Sequence, residues 1–258
     1  MNDYRSIIDD FFKPLSPESV GRRGEAYTAR KFEMLNLFGK EGKVLRNVYI
    51  PKPDGGTTEI DLLYISVKGI FVIESKNYSG YIFGNEDSRN WTVTLYGGKD
   101  FLGRKKVEKH QFYNPIMQNR THIKYLKKLV GDDIQMISLI VFSKRCELKS
   151  VNISSSDLIV CNRDRLPAEI RRVWNKYPDT LDTEKIENLC VKLQALTDVD
   201  KEQKELHVQK IKDRFNSTEI CPVCGGKLVL RTAKTGANAG KQFYGCSNFP
   251  KCRYVKKI

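Results

Sequence analysis

The sequence has no apolar run long enough to cross a bilayer: "ISLIVF" (137–142) is among the longest, far short of the roughly 20 residues a spanning helix needs. Histidine is scarce as well. His110, His122 and His207 are the only three, and none stands in a metalloprotease or Ser-His-Asp setting. No glycine-rich loop runs into Lys-Ser/Thr, so no nucleotide cofactor is expected. The first residues, "MNDYRSIIDDFF", carry acids where a secretory leader would carry bases. Seven cysteines make an odd set, and Cys146, Cys161 and Cys190 are scattered without ligand spacing. These three are expected to be small core residues. The chain reads as soluble and cytoplasmic, with no membrane partner.

Acidic charge is the other deficit. Lys and Arg number 45 against 31 Asp and Glu, a formal charge of +14. Such an excess points to a polyanion, nucleic acid first. From residue 221 onward there is no acid at all, while Lys227, Arg231, Lys234, Lys241, Lys251, Arg253, Lys256 and Lys257 supply eight of the fourteen charges.

Ser16-Pro17 has the form of an N-cap with proline at the first helical position, predicting a helix to about Phe38, stopped by Gly39. Strands are expected near 43–51, 58–67 and 69–77, followed by a hairpin through "YIFG" and "WTVTLY". Asn114-Pro115 opens a second helix to about Val130. "MISLIVFS" and "DLIVC" read as strands, and helices follow near 166–177 and 183–197. "GRKKVEKH" (103–110) is a basic run expected as a loop, solvated or touching DNA. This order predicts an α/β fold, a mixed sheet flanked by helices. The expected organisation is a domain over 1–180, a charged helical connector over 181–217 and a separate module over 218–258.

Three charges interrupt an otherwise apolar hairpin, "IDLLYISVKGIFVIESKNY" (60–78). With the turn centred on Lys68-Gly69, Leu63 would face Glu74 and Asp61 would face Lys76. Alternation along strands then brings Asp61, Glu74 and Lys76 to one face at one end. Two carboxylates beside an ammonium suit a hard divalent cation, because Mg²⁺ takes oxygen ligands and often only one or two protein carboxylates. The alternative is an Asp61–Lys76 ion pair with Glu74 solvated. Glu-x-Lys alone says little, since it recurs at Glu41/Lys43, Glu147/Lys149 and Glu202/Lys204; only Glu74/Lys76 lies in an apolar strand.

"GRRGE" (21–25), "EIDLLYIS", "FVIESKNYSG", Trp91 and "NPIMQN" (114–119) together resemble the nuclease-related domain, NERD, of the PD-(D/E)XK nuclease superfamily, over about residues 18–130. The resemblance implies a restriction-endonuclease-like mixed sheet and metal-dependent hydrolysis of DNA phosphodiesters, with Mg²⁺ or Mn²⁺ as cofactor. It places Asp61, Glu74 and Lys76 at the catalytic positions, Glu25 as an additional acid and metal ligand, and Gln118 as a helical glutamine near the site. Ile60 stands where the superfamily name has proline. A catalytically inactive DNA-binding adaptor with the same fold is the alternative. His122 lies one helical turn from Gln118 but is assigned to core or surface. Gly21 and Gly24 are expected to let the first helix approach the sheet.

The last segment pairs Cys221-x2-Cys224 with Cys246-x5-Cys252, a four-thiolate set suited to one tetrahedral structural Zn²⁺. So small a module has little core, and its metal would supply folding energy. "FYGCSNFPKCRY" resembles the zinc ribbon of bacterial type IA topoisomerases, over about 219–257. Lys227, Arg231, Lys241, Lys251 and Arg253 interleave with Phe243, Tyr244, Phe249 and Tyr254, the mixture expected for binding DNA, in particular single strands. At least two of the four aromatics are expected to be buried.

Overall fold

The computed structural model describes residues 17–99, 104–197, 216–221, 225–236, 238–250 and 252–258, with Glu205, Gln209 and Asp213 between them. The Ser16 cap, residues 198–215 apart from Glu205, Gln209 and Asp213, Cys224 and Lys251 lie outside the described residues. The chain divides into two units, 1–198 and 199–258.

Helix α1 (Pro17–Glu33) continues into a 3-10 turn, Met34–Phe38, closed by Gly39 in the left-handed region at φ 68°. Strands β1 (Gly42–Pro51), β2 (Thr57–Ser66) and β3 (Gly69–Lys76) follow as an antiparallel meander. Next come β4 (Gly80–Asn85), β5 (Asn90–Lys99) and β6 (Lys105–Tyr113), then helix α2 (Pro115–Val130). Strands β7 (Met136–Phe142), β8 (Cys146–Asn152) and β9 (Leu158–Asn162) precede helices α3 (Leu166–Lys176) and α4 (Thr183–Gln194). One sheet has the order β1-β2-β3-β7-β9, with β7 parallel to both β3 and β9; a second has the order β6-β5-β4-β8. The fold is thus a mixed α/β sheet flanked by helices. Among the described residues no helix is long and apolar enough to cross a membrane.

Three features differ from the sequence-based expectation. The basic run is not a loop: Lys105–Tyr113 pairs with β5 as an edge strand. Strand β8 has no apolar alternation to betray it, and it forms by pairing parallel to β4. Helix α4 extends the first unit beyond residue 180, because Leu181, Ile186, Leu189 and Leu193 join the core formed by Leu63, Ile65, Ile70 and Val72.

Packing explains the Asn114 cap signal and one of the two glycines. Asn114 accepts from the Ile116 amide at 2.9 Å, and its own amide donates to the carbonyls of Glu86 and Ser88 at 2.9 and 2.6 Å. The helix start is thereby tied to the β4–β5 turn. A Cβ on Gly24 would stand 2.8 Å from Asn77 Cβ, so this glycine does allow α1 to approach β3. Gly21 has no such role, since a Cβ there would meet only Glu25 Oε1 at 4.0 Å.

The two glycines should therefore respond oppositely to alanine. Gly24→Ala is expected to destabilise by about 1–3 kcal/mol through overpacking. Gly21→Ala should stabilise by up to about 1 kcal/mol through helix propensity. Thermal denaturation of both variants checks this, and equal shifts would refute the packing argument.

Candidate active site

Strand β3 is buried along its apolar length and ends in charge. Residues 69–74 are all buried, followed by the partly exposed Ser75 and Lys76. The hairpin register is Leu62 opposite Ile73, Leu63 opposite Val72 and Ser66 opposite Gly69. It is two residues offset from the expected pairing, with Val67-Lys68 as the turn. A shift of two preserves the faces, whereas a shift of one would have reversed them. Extending this register sets Asp61, not Leu63, opposite Glu74. At that point the strands part, and Asp61 Oδ2 accepts the Ser75 amide hydrogen at 2.8 Å.

Asp61 also sits at an irregularity shared with β1. Arg46 pairs with Leu62 and Val48 with Ile60, while Asn47, between them, has φ 52°. Asparagine tolerates this left-handed conformation better than most residues. On a regular strand Ile60 and Leu63 would face opposite sides, yet both belong to one core cluster. The phase slip around Asn47 and Asp61 leaves Asp61 partly exposed while its neighbours stay in the core.

Glu74, only 1% exposed, is the hub. Its Oε1 accepts from Lys76 Nζ at 2.6 Å, and its Oε2 lies 3.3 Å from His122 Nε2. Lys76 Nζ also donates to Gln118 Oε1 at 3.2 Å. The expected alternative pair, Asp61 with Lys76 and a solvated Glu74, is therefore reversed: Lys76 pairs with Glu74, which is the buried partner. His122 Nδ1 lies 2.8 Å from Thr58 Oγ1. An ionised Glu74 only accepts, so Nε2 carries a hydrogen toward it. Between Gln118 and His122, Asn119 anchors α2 by donating to Val72 O at 2.8 Å and Ser138 Oγ at 2.9 Å.

The electrostatics separate the two carboxylates. Burial alone would push Glu74 up, but Lys76 and His122 outweigh it and hold the carboxyl below its ordinary value. Asp61 is pushed well up, first by desolvation and then by the Glu74 charge, which Lys76 only partly offsets. Desolvation would lower Lys76, but Glu74 and Asp61 more than compensate and hold it firmly cationic. Glu25 on α1 is raised by desolvation, then by Glu59 and Glu74. Its oxygens do not complete a tight cluster with Asp61 and Glu74: among the described residues the one group of three ligand side chains lying mutually within 4.8 Å is made of cysteines. Asp61 and Glu74 are two neighbouring carboxylates, a number that could hold one Mg²⁺.

Sequence reasoning set His122 one turn from Gln118 but assigned it to core or surface; it is buried, and in contact with Glu74. Glu59 was passed over. The Gln118-x3-His122 spacing, one turn on one helix face, was the available signal for the histidine. Glu59, which accepts from Tyr49 Oη at 2.9 Å, stands only two residues before Asp61.

The second unit holds strands β10 (Leu228–Thr232), β11 (Gln242–Cys246) and β12 (Val255–Lys257) in an antiparallel sheet. Cys221, Cys246 and Cys252 are buried together, with Cys221 Sγ 3.7 Å from Cys252 Sγ. A disulfide would need about 2.0 Å, whereas the edge of a tetrahedron with Zn–S bonds of about 2.3 Å is about 3.8 Å. The thiolates therefore fit zinc. Lys227, Arg231, Lys241 and Arg253 are exposed. None of the four aromatics is fully buried, contrary to expectation: Tyr244 and Tyr254 pack partly against the cysteines, Phe243 is half-buried and Phe249 is exposed. The sulfur cluster takes the place of a larger apolar core.

Comparison with known proteins agrees with this division. The nuclease-related domain (NERD) profile matches residues 20–143, and the topoisomerase DNA binding C4 zinc finger profile matches residues 218–258. An uncharacterized protein of Bacillus anthracis is 30% identical over 209 residues, covering 81% of this chain and 91% of that protein. DNA topoisomerase 1 of Methanocaldococcus jannaschii is 54% identical over 39 residues, 15% of this chain but only 4% of the topoisomerase. An uncharacterized Escherichia coli protein is 43% identical over 42 residues, 16% of this chain and 21% of its own length. No solved structure matches the chain. A nuclease-related domain followed in the same chain by a topoisomerase-type C4 zinc ribbon places this protein in the NERD family.

Proposed function

We propose that the chain is a divalent-metal-dependent deoxyribonuclease whose zinc ribbon binds DNA, single strands in particular, in the cytoplasm. The observation that carries this reading is the convergence of Glu74, Lys76 and Gln118, from β3 and α2, beside Asp61. Asp61 and Glu74 would hold Mg²⁺ or Mn²⁺, with Glu25 joining directly or through water. Such an ion, when bound, supplies a Lewis acid for the scissile phosphate and a more acidic water. Lys76 has three ammonium hydrogens, of which Glu74 and Gln118 engage two. The third is available to a phosphate oxygen as negative charge grows on it. Gln118 and His122 act as positioning residues, one aiming the ammonium and the other fixing the second oxygen of Glu74. In the ribbon, exposed bases neutralise phosphates, and Phe249 offers a stacking face.

Cleavage of labelled DNA with Mg²⁺ or Mn²⁺ tests the assignment. Lys76→Ala should lower the rate at least about 100-fold while leaving DNA binding intact. Equal rates in both proteins would refute the site. DNA that is shifted in a gel yet stays whole with every divalent ion would show an inactive adaptor instead.

Asp61 offers an independent check. Its pKa is raised in the fold, so the associated stability is present below the ordinary carboxylate range and is lost as pH rises. At neutral pH, without divalent cation at this site, ionised Asp61 is a net cost. Asp61→Asn should therefore abolish cleavage yet stabilise the first unit by about 0.5–2 kcal/mol, read as a melting shift of about 2–4 °C per kcal/mol. A destabilised variant would contradict this electrostatic account.

For the ribbon, one zinc per chain should be released on denaturation. Cys246→Ser should abolish that stoichiometry and weaken DNA binding, leaving the melting of the first unit unchanged. Full zinc retention by the variant would overturn the ligand assignment.

A further inference from the structure

A second cavity, of about 600 Å³, opens at the carboxyl ends of the three mutually parallel strands of the main sheet. Asn77 follows β3, Ser143, Lys144 and Arg145 follow β7, and Arg163 and Asp164 follow β9; Arg23, Tyr27 and Lys31 face them from α1. The α1 residues recur every four positions, one helix face, and Glu25 lies off that face. Five bases meet a single acid, Asp164. The crevice beyond strand carboxyl ends is where open α/β sheets commonly receive ligands.

Arg163 distinguishes this pocket from a merely basic surface. It is only 9% exposed, and among the described residues its buried Nη2 has no hydrogen-bond partner. Its Nε donates to Thr28 Oγ1 at 3.0 Å. The Thr28 hydroxyl spends its one hydrogen on Gly24 O at 2.9 Å, so it accepts from Arg163 and from Ser75 Oγ, 3.2 Å away. Across the pocket, Arg145 Nη2 donates to Asn77 O at 3.0 Å and to Asn77 Oδ1 at 3.3 Å. Burial and then the neighbouring Arg145 lower the Arg163 pKa, against smaller opposing contributions from Cys146 and Tyr27. A buried guanidinium hydrogen without an acceptor is costly, and the fork geometry suits a tetrahedral oxyanion.

The same residues connect to the candidate active site. Ser75 donates its backbone amide hydrogen to Asp61 and its hydroxyl hydrogen to Thr28, which in turn receives Arg163. Three hydrogen bonds separate the unsatisfied guanidinium from the metal-site carboxylate. We propose that this pocket binds a phosphate group of a nucleic-acid strand, holding that strand while a neighbouring linkage lies at Asp61 and Glu74. The identity of the carrier rests on the nuclease reading; the binding of phosphate does not.

The test uses the full chain carrying Lys76→Ala, so that DNA survives and binding is read apart from cleavage. Fluorescence anisotropy would compare one single-stranded oligonucleotide bearing a 5′-phosphate, a 3′-phosphate or two hydroxyl ends. Adding Arg145→Ala, or separately Arg163→Lys, should weaken binding about ten-fold. Arg145→Ala, which removes a charge, should also reduce the slope of log affinity against log salt by about 0.7, which a purely structural role would not do. Loss confined to a phosphorylated end identifies a terminal phosphate, while equal loss for all three probes identifies an internal one. Inorganic phosphate, but not chloride at equal ionic strength, should shift the Arg163 Nε–Hε resonance. Unchanged affinity and salt slope in folded Arg145→Ala protein, with no phosphate-specific shift, would overturn the proposal even if wild-type cleavage is observed.

Discussion

Strand β3 has no solvent-facing side along its first six residues, because β2 and β7 flank it and helices cover both faces. Any charge placed near its end is desolvated, and must be paired or lose its ionisation. Glu74 meets that constraint with two partners at once, Lys76 from its own strand and His122 from α2. The position of α2 follows from the same need. Its buried Asn119 binds the Val72 carbonyl, and its Asn114 cap grips the β4–β5 turn, so Gln118 and His122 arrive at the strand end already aimed. Asp61 is left without such compensation. Desolvation and the Glu74 charge push its carboxyl well up.

The two units meet the burial problem by different physics. In the first, apolar area does the work: Trp91 is fully buried and stacks on Phe142 with centroids 6.0 Å apart, and Phe32 of α1 packs on Tyr64 and Phe71 of the sheet. The ribbon does not do the same: among its described residues the buried cluster is three cysteines and Leu228, with Tyr244 and Tyr254 packed partly against it. Metal ligation replaces the missing core there. This explains why its aromatics are free to remain partly exposed among bases.

Much of the site was readable from residue order. Apolar runs broken by Asp61, Glu74 and Lys76 marked the hairpin, and alternation placed the three charges on one face even though the pairing was two residues off. The turn was ambiguous because Val67, Lys68 and Gly69 permit more than one centre; Gly69, with φ 110° and its Cα against the Gln135 carbonyl, closes the loop as the first residue of β3. Strand β8 and the edge strand β6 were missed or read as loop. Both are rich in charge, and their pairing comes from neighbouring strands rather than from any pattern of their own.

Local chemistry was enough to specify the helix starts, the central strands, the four-cysteine set and the uneven charge, because each depends on residues a few positions apart. Long-range contact decided the rest. Glu74 reaches His122 across 48 positions, Lys76 reaches Gln118 across 42, and Arg163 reaches Thr28 across 135. No periodicity encodes such pairs. They arise when helices dock on the sheet and buried polar atoms take the partners that packing brings within reach.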